Sequence, residues 1–126
     1  MAGESVLVVE DNEKNMKLVR DVLLATGYYP LEASTGEEAL ALAAENAPAL
    51  VLMDIQLPDI DGSEALRRLR SDDRTAGIPV LALTAQAMQG DRESFLAAGF
   101  DGYLSKPVDV DELIVTVQRY CDRGIE

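Results

Sequence analysis

Short apolar runs alternate along this chain with segments whose apolar residues recur at helical spacing. The five runs are Ser5 to Val9, Tyr28 to Ala33, Leu50 to Asp54, Pro79 or Val80 to Leu83, and Gly102 to Ser105. Unbroken alternation of strand and helix patterns is typical of an α/β domain with a parallel sheet. The chain is therefore predicted to fold as five consecutive strand–helix units, (βα)5.

The segments between the runs carry signals for where each helix begins and ends. The first helix is predicted from the N-cap Asn12 to the terminating Gly27, with Met16, Val19 and Leu23 buried. Thr35-Gly36-Glu37-Glu38 fits a capping box at the start of the second helix. The other predicted helices are Ser63 to Arg70 with Leu66 and Leu69 buried, about Met88 to Ala98, and one from Asp109 with the stripe Val110, Leu113, Ile114 and Val117.

The strand order follows from two runs that differ in character. Pro30 lies in the second run, and proline is tolerated only at the edge of a sheet. The third run is entirely apolar before Asp54, which is typical of a central strand. These features favour a doubly wound, flavodoxin-like sheet in the order 2-1-3-4-5. Ligands bind such sheets at the carboxyl ends of the strands, where the winding reverses between strands 1 and 3.

Length and charge limit the function classes. With 126 residues we expect one domain over 1–126, with a core of about 5–123 and no output domain. The net charge of −12 disfavours direct contact with nucleic acid or an anionic membrane. The sequence has neither a membrane-span pattern nor a signal peptide, so we expect a cytoplasmic protein. Histidine is absent, and the single Cys121 falls at helical spacing as a core thiol.

Polar residues stand where the predicted strands end. Glu10-Asp11 follows strand one, Asp54 ends strand three, Thr84 follows strand four, and Lys106 follows strand five. The carboxyl ends of parallel strands lie at the same end of the sheet, so these groups are expected to meet in one cleft. Two like charges about 4 Å apart repel by about 4 kcal/mol at an effective dielectric near 20, and Mg²⁺ is the natural counter-ion. Solvated loop acids would explain any one of these residues but poorly explain all three carboxylates facing Lys106.

The expected cleft suits phosphoryl transfer. Asp54 can act as a nucleophile, because carboxylates form acyl phosphates. The metal and Lys106 would neutralise charge on the phosphoryl oxygens, and Thr84 could hydrogen-bond one of them. The competing interpretations are an ordinary β-branched strand residue for Thr84 and a surface lysine for Lys106.

The motifs resemble those of the receiver domain of two-component response regulators over essentially the whole chain. The resemblance implies that Asp54 is the phosphorylated residue and that Lys106 pairs with the phosphoryl group. It also implies a Mg²⁺ site made by Glu10, Asp11, Asp54 and the backbone carbonyl of Gln56. Many receivers have Asp in place of Glu10, and the longer side chain can leave room for a water between carboxylate and metal.

The same resemblance implies how a signal would pass. A histidine kinase or a histidine phosphotransfer protein would donate the phosphoryl group from a phosphohistidine. Thr84 and Tyr103 would then act as switch residues, reshaping the face of helix four, strand five and helix five for a downstream protein target. Such a protein catalyses only its own phosphorylation and dephosphorylation and is expected to be monomeric when unphosphorylated.

Four alternatives stay open or are disfavoured by particular residues. An aspartyl-phosphate phosphohydrolase resembles a pattern with Asp where this chain has Gln56. An FMN carrier of the flavodoxin type needs a phosphate loop where Glu10-Asp11 would repel it. A degenerate receiver that acts only by protein binding usually lacks one of the site residues. The stretches Val9 to Glu13 and Met53 to Pro58 resemble stand-alone regulators, although receivers of hybrid kinases carry similar motifs.

Overall fold

The computed structural model describes residues 4–84, 91–106 and 108–122. Five strands and five helices alternate along the chain. They are β1 Ser5–Val9, α1 Glu13–Ala25, β2 Tyr29–Ala33, α2 Gly36–Asn46, β3 Leu50–Asp54, α3 Gly62–Ser71, β4 Val80–Thr84, α4 Asp91–Ala98, β5 Gly102–Ser105 and α5 Val110–Asp122. All neighbouring strands pair in parallel, in the order β2-β1-β3-β4-β5. The predicted fold class and strand order are confirmed.

The sheet is the middle layer between two apolar layers. On one face, alternate strand residues such as Val6 and Val8 pack with α1 and α5. On the other face, Leu7 and Val9 pack with α2 and α3. Every residue of β3 and β4 is buried, as expected for central strands covered on both faces. Pro30 lies in β2 at the edge of the sheet, where its missing N–H costs no ladder bond.

The helix ends mostly follow the predicted signals. Asn12 caps α1 and accepts hydrogen bonds from two backbone N–H groups through its side chain, and Gly27 follows with a φ of 92°. Thr35 caps α2 by accepting from the Glu38 N–H, but the Glu38 carboxylate accepts from Ser34 N at 2.8 Å instead of from the N–H of Thr35. The capping box is thus half correct.

One helix boundary and one buried position differ from the sequence interpretation, and one predicted boundary lies outside the described residues. Helix α3 begins one residue earlier, at Gly62, because the Asp61 side chain caps it by accepting from the Glu64 N–H. Val110 is 42% exposed, so its place in the buried stripe of α5 was wrong, whereas Leu113 and Val117 are buried. The predicted start of the fourth helix at Met88 lies outside the described residues. Among the described helices, none is long and apolar enough to cross a membrane.

Candidate functional site

The carboxyl ends of β1, β3, β4 and β5 bring the predicted polar residues to one edge of the sheet. The backbone continues the sheet beyond the strands, since Glu10 N donates to Ala33 O at 2.9 Å and Lys106 N donates to Thr84 O at 2.8 Å. Glu10, Asp54 and Thr84 are all at most 5% exposed. Polar groups are rarely buried without a partner, so their partners define the site.

Lys106 bridges two buried carboxylates. Its Nζ lies 2.7 Å from Glu10 Oε1 and 2.9 Å from Asp54 Oδ2. The other oxygen of each carboxylate accepts a backbone hydrogen bond, from Asn12 N to Glu10 Oε2 at 3.0 Å and from Gln56 N to Asp54 Oδ1 at 2.8 Å. Glu10 Oε1 is fully buried and receives no well-aligned hydrogen bond from a described residue, so its contact with Lys106 is an ion pair only.

Burial affects the two ends of the Glu10–Lys106 pair differently. Desolvation raises the pKa of the Glu10 carboxyl, although Lys106 and the Asn12 N–H act against it. Burial also acts to lower the pKa of the Lys106 ammonium, but the close contacts with the Glu10 and Asp54 carboxylates together outweigh it and raise that pKa. Lys106 has two carboxylate partners, whereas Glu10 faces one ammonium and also the like charge of Asp54, so desolvation prevails only at the carboxyl. Lys106 is therefore firmly cationic.

Glu10, Asp11 and Asp54 form a cluster of carboxylates. Each offers one oxygen, and these oxygens lie within 4.8 Å of one another. At that separation two carboxylates repel by about 3.5 kcal/mol at an effective dielectric near 20. Three carboxylates and the one Lys106 ammonium leave two net negative charges, if all four are ionised. A divalent cation would neutralise them.

The donor set fits Mg²⁺. All the ligands available are oxygens, which Mg²⁺ prefers, and an exposed Asp11 beside the buried Asp54 leaves room for the waters that the ion retains. Glu10 Oε1 receives no well-aligned hydrogen bond from a described residue, so this buried oxygen has acceptor capacity left for a cation. The predicted acidic cluster is thus present as a group of oxygens that can hold a hard divalent cation.

The predicted switch residues lie at different depths. Thr84 is the last residue of β4 and follows Leu83, which pairs with Asp54. Tyr103 lies on β5 opposite Ala82, is half-buried, and packs against the apolar layer of α2 and α3. Thr84 therefore lies at the site edge, whereas Tyr103 lies back along its strand. Pro107, which follows Lys106, lies outside the described residues.

One residue near the site escaped the sequence interpretation. The carboxylate of Asp59, in the loop between β3 and α3, accepts hydrogen bonds from the backbone N–H groups of Gly36 and Glu37 at the start of α2. Its partners are 23 and 22 positions away in sequence, and no local motif connects them. The attachment of this loop to α2 could therefore not be predicted from the sequence.

A separate cavity lies at the opposite end of the sheet, beside the amino ends of the strands. It has a volume of about 520 Å³ and is lined by residues that include Ala49, Gly77 and Pro79. Arg70 also lines it and donates to Ile78 O at 2.7 Å and to Asp101 Oδ2 at 2.9 Å. None of the predicted site residues contacts this cavity, so the chemistry and the cavity are at different ends of the fold.

Comparison with known proteins agrees with this architecture. The family model described as the response regulator receiver domain matches residues 6–118. The chain is 49% identical over 117 residues to the polar-differentiation response regulator DivK of Brucella anthropi, covering 93% of this chain and 95% of that protein. The receiver domain of the sensor histidine kinase PA1611 of Pseudomonas aeruginosa, solved with magnesium in its active-site cleft, is 38% identical with a TM-score of 0.87, covering 96% of this chain and 99% of that one. The receiver domain of Ssk1 of Saccharomyces cerevisiae, solved with the histidine phosphotransfer protein Ypd1, is 28% identical with a TM-score of 0.87, covering 98% and 92%.

Proposed function

This chain belongs to the response regulator receiver domain family, and from that premise we propose that it is a DivK-like phosphorelay switch that accepts a phosphoryl group on Asp54. The observation that carries the proposal is the buried bridge of Lys106 between Glu10 and Asp54 at the carboxyl edge of the sheet. An ammonium held beside a buried carboxylate can neutralise an incoming phosphoryl group, which is most of what such catalysis requires.

The proposed transfer is a displacement at phosphorus. An oxygen of Asp54 attacks the phosphorus of a phosphohistidine, the P–N bond breaks, and its electron pair returns to the imidazole nitrogen. The product is an acyl phosphate on Asp54, which water later hydrolyses to the carboxylate and inorganic phosphate. The chain would thus catalyse only its own phosphorylation and dephosphorylation and would not turn over an external substrate.

Each residue of the cluster has a proposed part in this step. Glu10, Asp11 and Asp54, with the backbone carbonyl of Gln56, would hold Mg²⁺, directly or through water. When bound, the ion would supply positive charge to the phosphoryl oxygens. Lys106 would exchange its contact with Asp54 Oδ2, now 2.9 Å, for a phosphoryl oxygen. The magnesium in the PA1611 receiver domain supports the choice of metal.

The signal would leave through Thr84 and Tyr103. Phosphorylation adds about −1.5 to −2 charge and strong acceptor oxygens. Thr84, at the end of β4, would donate its hydroxyl to one of them, and Tyr103 would turn inward and reshape the face of α4, β5 and α5. A Thr84→Ala variant should still gain the phosphoryl group but should lose the change in the Tyr103 ring resonances on phosphorylation. An unchanged Tyr103 response in that variant would contradict this coupling.

The proposed partners are proteins. A histidine kinase or a histidine phosphotransfer protein would supply the phosphoryl group, as the complex of Ypd1 with the Ssk1 receiver suggests for a related domain. The downstream target would be a protein, because a net charge of −12 disfavours direct nucleic-acid binding. We further propose a cytoplasmic protein that is monomeric before phosphorylation, which size-exclusion chromatography with light scattering can test.

A stand-alone regulator is favoured over a receiver within a longer kinase. The DivK relative is covered over 95% of its length, whereas the PA1611 receiver belongs to a sensor histidine kinase and represents the second candidate. An antibody against this domain should detect in its native cells a protein of the size of this chain. Detection only of a much larger protein would favour the kinase-linked receiver.

The proposal is tested by incubating the protein with acetyl phosphate and following its intact mass. We expect the mass of one phosphoryl group to appear with Mg²⁺, and not with EDTA or in Asp54→Asn. No gain, combined with no transfer from a phosphorylated histidine phosphotransfer protein, would refute it and favour a degenerate receiver that works only by binding. A gain that persists in Asp54→Asn would contradict the assignment of the residue.

A further inference from the structure

The start of α2 is capped from two parts of the chain. Thr35 Oγ1 accepts from the Glu38 N–H at 3.1 Å, as a local cap. The Asp59 carboxylate accepts from the other two N–H groups of the first turn, which have no partner within the helix: Gly36 N at 2.8 Å and Glu37 N at 3.0 Å. Helix N-termini favour anions, and these bonds lower the pKa of Asp59, with Gly36 contributing most. One carboxylate thus ties the β3–α3 loop to α2.

Packing strengthens this attachment at the tip of the loop. A Cβ built on Gly36 would lie 2.4 Å from Ile60 Cγ1 and 3.4 Å from Asp59 Oδ1. Real Cβ atoms do not approach so closely, so Ile60 occupies the space that a side chain at position 36 would need. The loop therefore contacts the beginning of α2 through both a carboxylate and an apolar side chain.

The base of the same loop is also closed. Gly62 N donates to Ile55 O at 3.0 Å, and a Cβ on Gly62 would lie 2.7 Å from the Ile55 Cα. Between the base and the tip lies Gln56, whose N–H donates to Asp54 Oδ1 at 2.8 Å. Gln56 thus lies between two parts of the loop that are both held in place, the base at Gly62 and the tip at Asp59.

We propose that Asp59 is a positioning residue for the metal site: by holding the β3–α3 loop on the N-terminus of α2, it orients Gln56 beside Asp54 and so sets the affinity for Mg²⁺. This inference rests on the proposed function, because it concerns the same acidic cluster. Asp59 does not touch the reacting atoms and acts through the loop.

The test compares Asp59→Asn with Thr35→Ala. The asparagine keeps the size of the side chain but replaces one of the two accepting oxygens with an NH2 donor. Because Gly36 N and Glu37 N now donate to different oxygens of Asp59, one of these N–H groups would face a donor in the variant. The Thr35 change removes a cap from the same helix end but leaves in place the two N–H groups that donate to Asp59 and the Asp59 carboxylate itself. Mg²⁺ affinity is measured by calorimetry, and exchange of the Gln56 amide is followed by NMR without metal. Urea unfolding gives the stability of each variant.

We expect Asp59→Asn to raise the Mg²⁺ dissociation constant by about 3- to 10-fold, less than the roughly 10- to 100-fold typical of groups bonded directly to a metal ligand. Its Gln56 amide should exchange faster than in the wild type. Thr35→Ala should lose comparable stability while its dissociation constant stays within about twofold and its Gln56 exchange is unchanged.

Two results would overturn the inference. If both variants weaken Mg²⁺ binding equally, the effect is a general consequence of destabilising α2. If Asp59→Asn binds Mg²⁺ like the wild type and protects Gln56 equally, the loop needs no such anchor. Wild-type phosphorylation on Asp54 is measured in parallel, so either result with normal phosphorylation leaves the proposed function intact. If the wild-type protein neither binds Mg²⁺ nor accepts a phosphoryl group, both proposals are refuted.

Discussion

Replacing Lys106 with methionine isolates the electrostatics of the cluster. The side chain has a similar length, but the ammonium that lies 2.7 Å from Glu10 Oε1 and 2.9 Å from Asp54 Oδ2 is lost. Each of these attractions amounts to about 6 kcal/mol at an effective dielectric near 20. The carboxylates left behind, whose oxygens lie within 4.8 Å of one another, repel by at least about 3.5 kcal/mol per pair. Desolvation of the lysine offsets much of this gain in the wild type.

The net change in the free energy of unfolding depends on the buried carboxylates that remain once the Lys106 ammonium is removed. Removing one partner of a buried ion pair usually costs about 3 to 5 kcal/mol. The Lys106 side chain keeps 15% exposure, so water can partly replace it. We therefore expect the free energy of unfolding in EDTA to fall by about 3 kcal/mol, at the low end of that range.

Mg²⁺ should reverse part of this loss. With Lys106 removed, the ionised cluster carries three negative charges instead of two, so the variant should bind the ion more tightly than the wild type does. A ligand at 100 times its dissociation constant stabilises the folded state by about 2.7 kcal/mol. The deficit of Lys106→Met should thus be smaller in Mg²⁺ than in EDTA.

The assay is urea unfolding followed by far-ultraviolet circular dichroism, since the chain has no tryptophan. Lys17→Met is the control, because Lys17 pairs with Asp21 on the surface with 66% of its side chain exposed, and its loss should change little. A Lys106→Met variant as stable as the wild type in EDTA would refute the electrostatic account. If the loss in the free energy of unfolding of Lys106→Met is the same in Mg²⁺ as in EDTA, the assignment of the acidic cluster as a cation site is refuted.

Two further predictions concern the frame around the site. Gly62→Ala should lower the free energy of unfolding by about 1 to 3 kcal/mol, because its Cβ would lie 2.7 Å from the Ile55 Cα. The control Gly77→Ala should not, since nothing lies within 4 Å of a Cβ at that position. Equal melting temperatures for the two variants would contradict this prediction. Hydrogen bonds from Arg67 above all lower the pKa of Glu64 to about 2 from 4.5. That carboxylate stabilises the fold above pH 4.5 and loses its contribution as the pH falls toward 2, so Glu64→Gln should flatten the fall in melting temperature over this window, and an unchanged slope would argue against it.

The fold could be read from the sequence because its main signals are local. Pro30 excluded a central position for β2, and the apolar run of β3 required one. Asn12 marked the start of α1 through its own side chain. Once the strands were known to be parallel, Asp54 and Lys106 had to end at the same edge, so their meeting followed from topology rather than from any contact visible in the sequence.

The remaining features depend on tertiary contacts. Nothing near Asp59 in sequence indicates that it caps α2, since its partners Gly36 and Glu37 are more than twenty residues away. The exposure of Val110 likewise depends on how the first turn of α5 meets the sheet, and helical spacing alone does not determine it. The ion pair of Glu10 with Lys106 could not be predicted either, because it depends on how deeply Glu10 is buried, and this residue is only 2% exposed.

Phosphorylation is proposed at one residue, Asp54, and chemical mapping of the modified residue tests this assignment. After phosphorylation in Mg²⁺, borohydride reduces an aspartyl phosphate to homoserine, and fragment mass spectrometry then locates the reduced residue. We expect homoserine at position 54 alone, and none when the acidic cluster is deprived of metal by EDTA. Reduction at Glu10, Asp11 or any other acid with Asp54 unmodified would contradict the account.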